Sequence, residues 1–167
     1  MKRTIAAGVA VAAVALGPGA ATAAAPKKIT PKGVGQVKLG KTFQEMRDKH
    51  LVGKLRDGCE LSGPNTKFSK LRSPLRGTVD WTRTGTRKVR RVTITKGATA
   101  RGVGVGDKLA DIKDAFPKAK VDHSTESLFQ VTLVTIPKNG GGKMAFTVST
   151  VTKKITLIGV PNISFCE

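Results

Sequence analysis

An internal repeat most constrains how this chain can fold. The segment LGKTFQEMRD at residues 39–48 recurs as VGDKLADIKD at 105–114, with two identical and five conservative pairs. At the same offset, Lys-Val at 88–89 matches Lys-Ile at 154–155. A repeat of this kind indicates one supersecondary unit that occurs twice and buries its apolar face against its copy.

The repeat predicts one compact domain made of two units, residues 33–98 and 99–167. A flexible N-terminus is expected at residues 24–32. Each unit reads as strand, helix, strand and strand, although residues 58–74 are irregular and are expected to form a loop or a weak edge strand. The predicted fold class is therefore α+β, with two tandem βαββ-like units forming an antiparallel sheet and helices on one face.

The helix starts carry local signals. Thr42 and Glu45 have the spacing of a capping box, in which each side chain bonds to the other's backbone N–H. In the second copy, Asp107 is expected to cap the helix. His50 falls on the apolar stripe of the first helix, and Phe116 is its repeat equivalent, which favours a packing role over a ligand role for this histidine.

The N-terminal residues have the three-part pattern of a secretory signal peptide. Lys2 and Arg3 precede an apolar run at residues 5–16, and a small-residue cleavage site follows at 21–23. A retained anchor is the alternative, but the run is shorter than the roughly 20 residues that span a bilayer. We predict a signal peptide at 1–23 and a secreted, extracellular protein with no transmembrane segment after cleavage.

The two cysteines are interpreted in the light of this export. An oxidising compartment and an even count predict a structural disulfide between Cys59 and Cys166. Two buried thiols are the alternative. The sequence has no C-x-x-C, and its two histidines are far apart, so no metal site is predicted.

Two motifs resemble a known group of proteins. They are V-x-L-G-x-T-x-x-E-M at residues 37–46 and V-G-V-G-D-x-L-x-D-I at 103–112. Together with the strand order they cover about a third of the chain. They resemble exported bacterial tandem-repeat proteins of the beta-lactamase inhibitory protein-like and SmpA/OmlA-like groups. The resemblance implies repeated antiparallel strands after a helix and a non-enzymatic role.

No catalytic constellation emerges from the sequence. Asp122, His123 and Ser124 have the residue types of a hydrolase, but neighbours on an extended chain point in alternating directions and cannot form a triad among themselves. The glycine-rich stretch at 102–107 lacks the G-x-G-x-x-G pattern of a dinucleotide site. We assign no catalytic residue and no cofactor, while a small secreted hydrolase with an unrecognised site stays open as an alternative.

Charge is the strongest functional lead. The chain has 30 Lys and Arg against 11 Asp and Glu, a net charge of +19. Residues 27–101 carry 20 basic and five acidic groups, whereas residues 102–167 carry eight and six. The candidate anion-binding residues lie on one strand-like run and its preceding turn: Arg83, Arg87, Lys88, Arg90 and Arg91. Strand alternation predicts that Arg90 and Arg91 face opposite sides of the sheet.

This charge predicts an exported, non-catalytic binding protein whose partner is an anionic polymer, an anionic surface or an acidic protein. Only one Trp, six Phe and no Tyr are present, so base-stacking platforms and specific nucleic-acid recognition are not expected. The alternatives are a basic surface that serves only solubility, the hydrolase above, and a proteinaceous inhibitor of a secreted enzyme.

Overall fold

A computed structural model of the chain describes residues 25–59, 63–137 and 143–165. The predicted signal peptide at 1–23 and the predicted disulfide partner Cys166 lie outside these residues.

The described residues form many short strands and three short helices. The strands are β1 (Lys27–Thr30), β2 (Gly33–Val34), β3 (Val37–Lys38), β4 (Arg56–Asp57), β5 (Lys67–Lys70), β6 (Arg76–Trp81), β7 (Val89–Lys96), β8 (Ala98–Ala100), β9 (Val103–Gly104), β10 (Lys120–Asp122), β11 (Val131–Ile136), β12 (Met144–Ser149) and β13 (Ile155–Val160). The helices are α1 (Phe43–Asp48), α2 (Leu109–Ala115) and α3 (Glu126–Phe129).

Two sheets organise these strands. The larger is an eight-stranded antiparallel sheet in the order β10-β11-β12-β13-β7-β6-β5-β4. The smaller has the order β3-β2-β1-β8-β9 and is antiparallel except for the parallel pair of β1 and β8. Each predicted repeat unit supplies four consecutive strands of the large sheet, and the two sets meet at β7 and β13.

The expected fold class, α+β with helices on one face, is wrong. The protein is mostly β, and its helices have only six, seven and four residues. The helices are this short because α1 is followed at His50 by left-handed backbone with φ +53°, while Pro117 ends the helical stretch after α2. Each of these two helices buries one side chain completely, Met46 or Ile112, so the strands supply the core.

Part of the expected flexible N-terminus, residues 24–32, is ordered in a sheet. Residues 27–30 form β1, which pairs with both β2 and β8. Ile29 is only 3% exposed and joins the core. The sequence signal was weak because a single apolar residue stands among three polar or charged ones, and pairing with two neighbouring strands supplies the order.

Equivalent hydrogen bonds recur 66 residues apart. The Gly40 amide donates to the Val89 carbonyl at 2.8 Å, and the Gly106 amide donates to the Ile155 carbonyl at 2.9 Å. Each bond joins the turn before a helix to the start of the last strand of its unit. The segments that recur in sequence therefore also recur in local geometry.

The large sheet has a pseudo-twofold axis at its centre. The central register pairs are Val92–Val160, Thr93–Gly159 and Ile94–Ile158. Each β7 residue in these pairs has its repeat equivalent, 66 positions later, among the β13 residues of the same pairs. Thr93 is paired with its own repeat equivalent, Gly159. Paired positions in the first half of the sheet can therefore be compared with positions in the second half through the strand register.

The predicted capping box at α1 is confirmed. The Glu45 carboxylate accepts from the Thr42 amide at 2.8 Å, and the Thr42 hydroxyl accepts from the Glu45 amide at 3.2 Å. The hydrogen bond from the Thr42 amide and, as the second largest cause, the hydrogen bond from the Lys41 side chain lower the pKa of the Glu45 carboxyl to about 2. The expectation that Asp107 caps α2 is wrong, because Lys108 takes the cap position and its amide donates to Asp111.

The two faces of the large sheet differ. The inner face packs on the helices and the small sheet through buried residues such as Val79, Trp81 and Phe146. The Trp81 indole donates to the buried Ser69 hydroxyl at 3.1 Å. Across the opposite, outer face lies the chain after β13: a Cβ at Gly159 would lie 2.4 Å from the Asn162 carbonyl oxygen, so only glycine fits beneath this segment.

Candidate functional site

A β-bulge places both predicted strand arginines on the outer face. The β6–β7 register shifts beside Asp80, so Val89 and Val92 are both buried although they are three residues apart. Arg90 and Arg91 occupy the two positions between them and lie outside the core. The expectation that they face opposite sides is therefore wrong, because the bulge interrupts strand alternation.

Arg91 forms an ion pair within the fold. Its Nη1 lies 2.9 Å from Asp80 Oδ2, and its Nε donates to the Asn162 side-chain oxygen at 2.8 Å. The Arg91 side chain is 11% exposed and that of Asp80 is 26% exposed. Burial raises the pKa of Asp80, and the positive charges of Arg91 and Arg90 partly offset this rise. Arg91 thus connects two strands and the C-terminal segment.

Arg87 is also engaged within the fold. Its Nη1 donates to the carbonyl oxygens of Thr82 and Arg83 at 2.6 Å each, and to that of Asn65 at 3.1 Å. These bonds hold the β6–β7 turn together and fasten it to the loop before β5. Arg87 therefore satisfies backbone acceptors, which limits its role toward an external anion.

The other three predicted cations are exposed. Arg90 lies on the outer face, Lys88 lies just before β7, and Arg83 lies in the β6–β7 turn. The Arg83 guanidinium is packed close to Gly63, since a Cβ there would lie 3.2 Å from it. The predicted set is thus brought to one hairpin, in which Arg87 and Arg91 are bonded within the fold and Lys88 and Arg90 are exposed.

Sequence reasoning missed two outer-face cations. Arg56 pairs with Phe68, Phe68 pairs with Asp80, and Asp80 pairs with Arg91, which makes one row across four strands. Lys70 lies two residues beyond Phe68 and is exposed on the same face. The signal was hidden because β4 has two residues and β5 four, too few for alternation to identify them.

We call Arg56, Lys70, Lys88 and Arg90 the basic face. Its counterparts in the second half follow from the register: the row Arg56–Phe68–Asp80–Arg91 corresponds to Asp122–Leu133–Thr147–Leu157. The remaining counterparts are Thr135 for Lys70, Lys154 for Lys88 and Thr156 for Arg90. The two halves of the sheet have equivalent strand pairing. The first half carries four cations at these positions, whereas the second half carries one cation and one carboxylate.

A cavity of about 520 Å³ opens beside the basic face. Phe68, Asp80 and Arg90 line it from the sheet, and Ser164 and Phe165 line it from the C-terminal segment. It combines aromatic walls, one exposed guanidinium and a carboxyl whose pKa is raised by burial.

Cys59 also lines this cavity. Phe165, which directly precedes Cys166 in the chain, lines it too, so the path of the C-terminal segment is compatible with a Cys59–Cys166 bond. Because Cys166 lies outside the described residues, the disulfide stays a prediction.

The histidines do not build a triad. His123 Nδ1 lies 2.6 Å from Glu126 Oε1, but the His123 side chain is 69% exposed. Hydrogen bonds from Thr132 and then His123 lower the pKa of Glu126. The Asp122 carboxylate accepts from the Ser124 backbone, so these neighbours form a turn. The expected packing role of His50 is wrong, since its side chain is exposed at the left-handed position after α1.

Searches against protein-family models, curated proteins and solved structures found no match to this chain. Among the described residues, no helix is both long and apolar enough to cross a membrane. No group of three or more potential metal ligands occurs among them either.

Proposed function

We propose that this chain is an exported, non-catalytic binding protein that holds an anionic partner against the basic face. The observation that carries the proposal is the difference in charge between two halves of the same design. Where the first half has Arg56, Lys70 and Arg90, the second has Asp122, Thr135 and Thr156. The backbone does not require the cations, because their counterparts keep the strand pairing without them.

The span of the basic face favours an extended partner. Arg56 lies on β4, Lys70 on β5 and Arg90 on β7, and neighbouring strands are about 4.8 Å apart, so these cations cover roughly 14 Å across the sheet. Among the described residues, the two acids beside these cations have other ion-pair partners: Asp57 pairs with Lys67, and Asp80 pairs with Arg91. A chain or surface with several negative charges engages such a row better than a single small anion does.

The experiment measures binding of the mature protein to a short labelled DNA duplex, used as a polyanion of known charge spacing. Four contacts predict a slope of about −3.6 in log K against log salt, so a fourfold increase in salt weakens binding by about two orders of magnitude. Replacing all four basic-face residues by Gln flattens this dependence.

The matched control replaces four exposed lysines of the second half by Gln: Lys113, Lys120, Lys143 and Lys154. It removes the same charge and is expected to keep most of the salt dependence. Equal losses from both variants would mean that only net charge matters, and salt-insensitive binding would contradict the proposal. Trp81 fluorescence verifies that both variants are folded, because this single tryptophan is buried in the core.

A further inference from the structure

A second cavity, remote from the basic face, has a largely apolar wall. It measures about 450 Å³ and lies between the small sheet, the end of α2 and the strands β11 and β12. Its apolar side chains include Ile29, Phe116, Ile136 and Met144. Its volume falls at the lower end of the range typical of small-molecule sites.

Among the described residues, the charged side chains that line this cavity are all cationic. Lys28, Arg101 and Lys118 line it, and no acidic side chain is among the described residues that do so. The Arg101 guanidinium lies 5.0 Å from the centre of the Phe116 ring and donates to the Ala115 carbonyl at 3.1 Å. A fixed positive charge is therefore held against the aromatic part of the apolar wall.

Arg101 has a left-handed backbone conformation, which residues with a Cβ rarely adopt. Its φ is +50°, a left-handed value that costs energy for any residue with a Cβ. The counterpart 66 residues earlier is Gly35, which has the same φ of +50° without that cost. The counterpart of Phe116 is His50, which is exposed. The second half thus has a guanidinium and a buried phenyl ring where the first half has a glycine and an exposed histidine.

We infer that this cavity binds a single-chain fatty carboxylate, with the alkyl chain on the apolar wall and the carboxylate beside Arg101 and Lys118. Charge complementarity favours an anion, since every charged lining group among the described residues is positive. The apolar wall favours an alkyl chain, and the volume suits one such chain better than a two-chain lipid. This site shares no residue with the basic face, so the inference does not depend on the proposed function.

The test is calorimetric titration of the mature protein with hexanoate, octanoate and decanoate, each below its micelle concentration. Burial of each added methylene is expected to tighten binding about fourfold until the cavity is full. Decanol, which has the same chain without charge, should bind at least tenfold more weakly than decanoate because it lacks the charge-assisted bond. Equal affinity for decanol, or no dependence on chain length, would overturn the inference.

The variant Arg101→Gly installs the residue of the first half and relieves the left-handed strain. It should fold at least as well as the parent and bind decanoate at least tenfold more weakly. Arg101→Lys keeps the charge and should retain most of the affinity. Binding unchanged in Arg101→Gly would contradict the assignment, as would attachment to anionic phospholipid vesicles without any binding of decanoate. The basic-face variant should bind decanoate normally, which separates this test from that of the proposed function.

Discussion

The ion pair of Asp80 and Arg91 offers a sharp test of how the outer face is built. Arg91→Leu installs the residue that the second half has at the same position, Leu157. It leaves Asp80 partly buried without its partner. Breaking a fully buried pair costs 3–5 kcal/mol, and because Asp80 keeps about a quarter of its exposure, we expect a loss of about 2 kcal/mol in unfolding free energy at pH 7.

The loss should depend on pH in a defined direction. Burial raises the folded-state pKa of Asp80, so the stability linked to its protonation is present below its unfolded pKa and is lost as pH rises through the folded pKa. Removing Arg91 removes the main charge that opposes this rise. The penalty of Arg91→Leu is therefore largest at pH 7 and falls near pH 3 to about 1 kcal/mol, which represents the lost bond to Asn162.

The assay is urea unfolding followed by Trp81 fluorescence at both pH values. The double variant Asp80→Thr with Arg91→Leu copies both second-half residues and should lie within about 1 kcal/mol of the parent, because no charge is left unpaired. A penalty that is the same at both pH values, or a double variant less stable than Arg91→Leu, would refute the reasoning.

Two further predictions follow from single contacts, and two concern the oxidation and processing of the secreted chain. Thr42→Ala removes the capping acceptor and should lower the unfolding free energy by about 1 kcal/mol in urea titrations, while a parent-like midpoint would contradict the cap's role. Gly159→Ala forces a Cβ to within 2.4 Å of the Asn162 carbonyl oxygen, so amide exchange should speed up in residues 162–165, and unchanged exchange rates would argue against the observed path. Peptide mapping of secreted protein should find Cys59 linked to Cys166 and an N-terminus at or near Ala24; free thiols or a retained Met1 would refute those predictions.

Two local signals in the sequence predicted the local geometry. Thr42 and Glu45 form the expected box because a capping box depends only on residues three apart. The offset of 66 residues also appears in the hydrogen bonds of Gly40 and Gly106, since both turns have a glycine with positive φ at the same position.

Features that depend on pairing between distant strands could not be predicted from the sequence. The bulge that moves Arg90 and Arg91 to one face depends on their register against Asp80, which no pattern within β7 reveals. Arg56 and Lys70 join the site only because two very short strands pair at the sheet edge. The lengths of the helices were overestimated because apolar residues at helical spacing continue past the residues where the backbone turns.

An anionic partner is expected to contact the first half of the outer face and to spare its structural counterpart. Amide chemical shifts of the labelled mature protein, recorded during titration with the short duplex, test this position by position. Binding at the basic face predicts shifts at Arg56, Lys70 and Arg90 that saturate together and vanish at high salt, with little change at Asp122, Thr135 and Thr156. Equal shifts in both halves, or shifts confined to the second half, would contradict it.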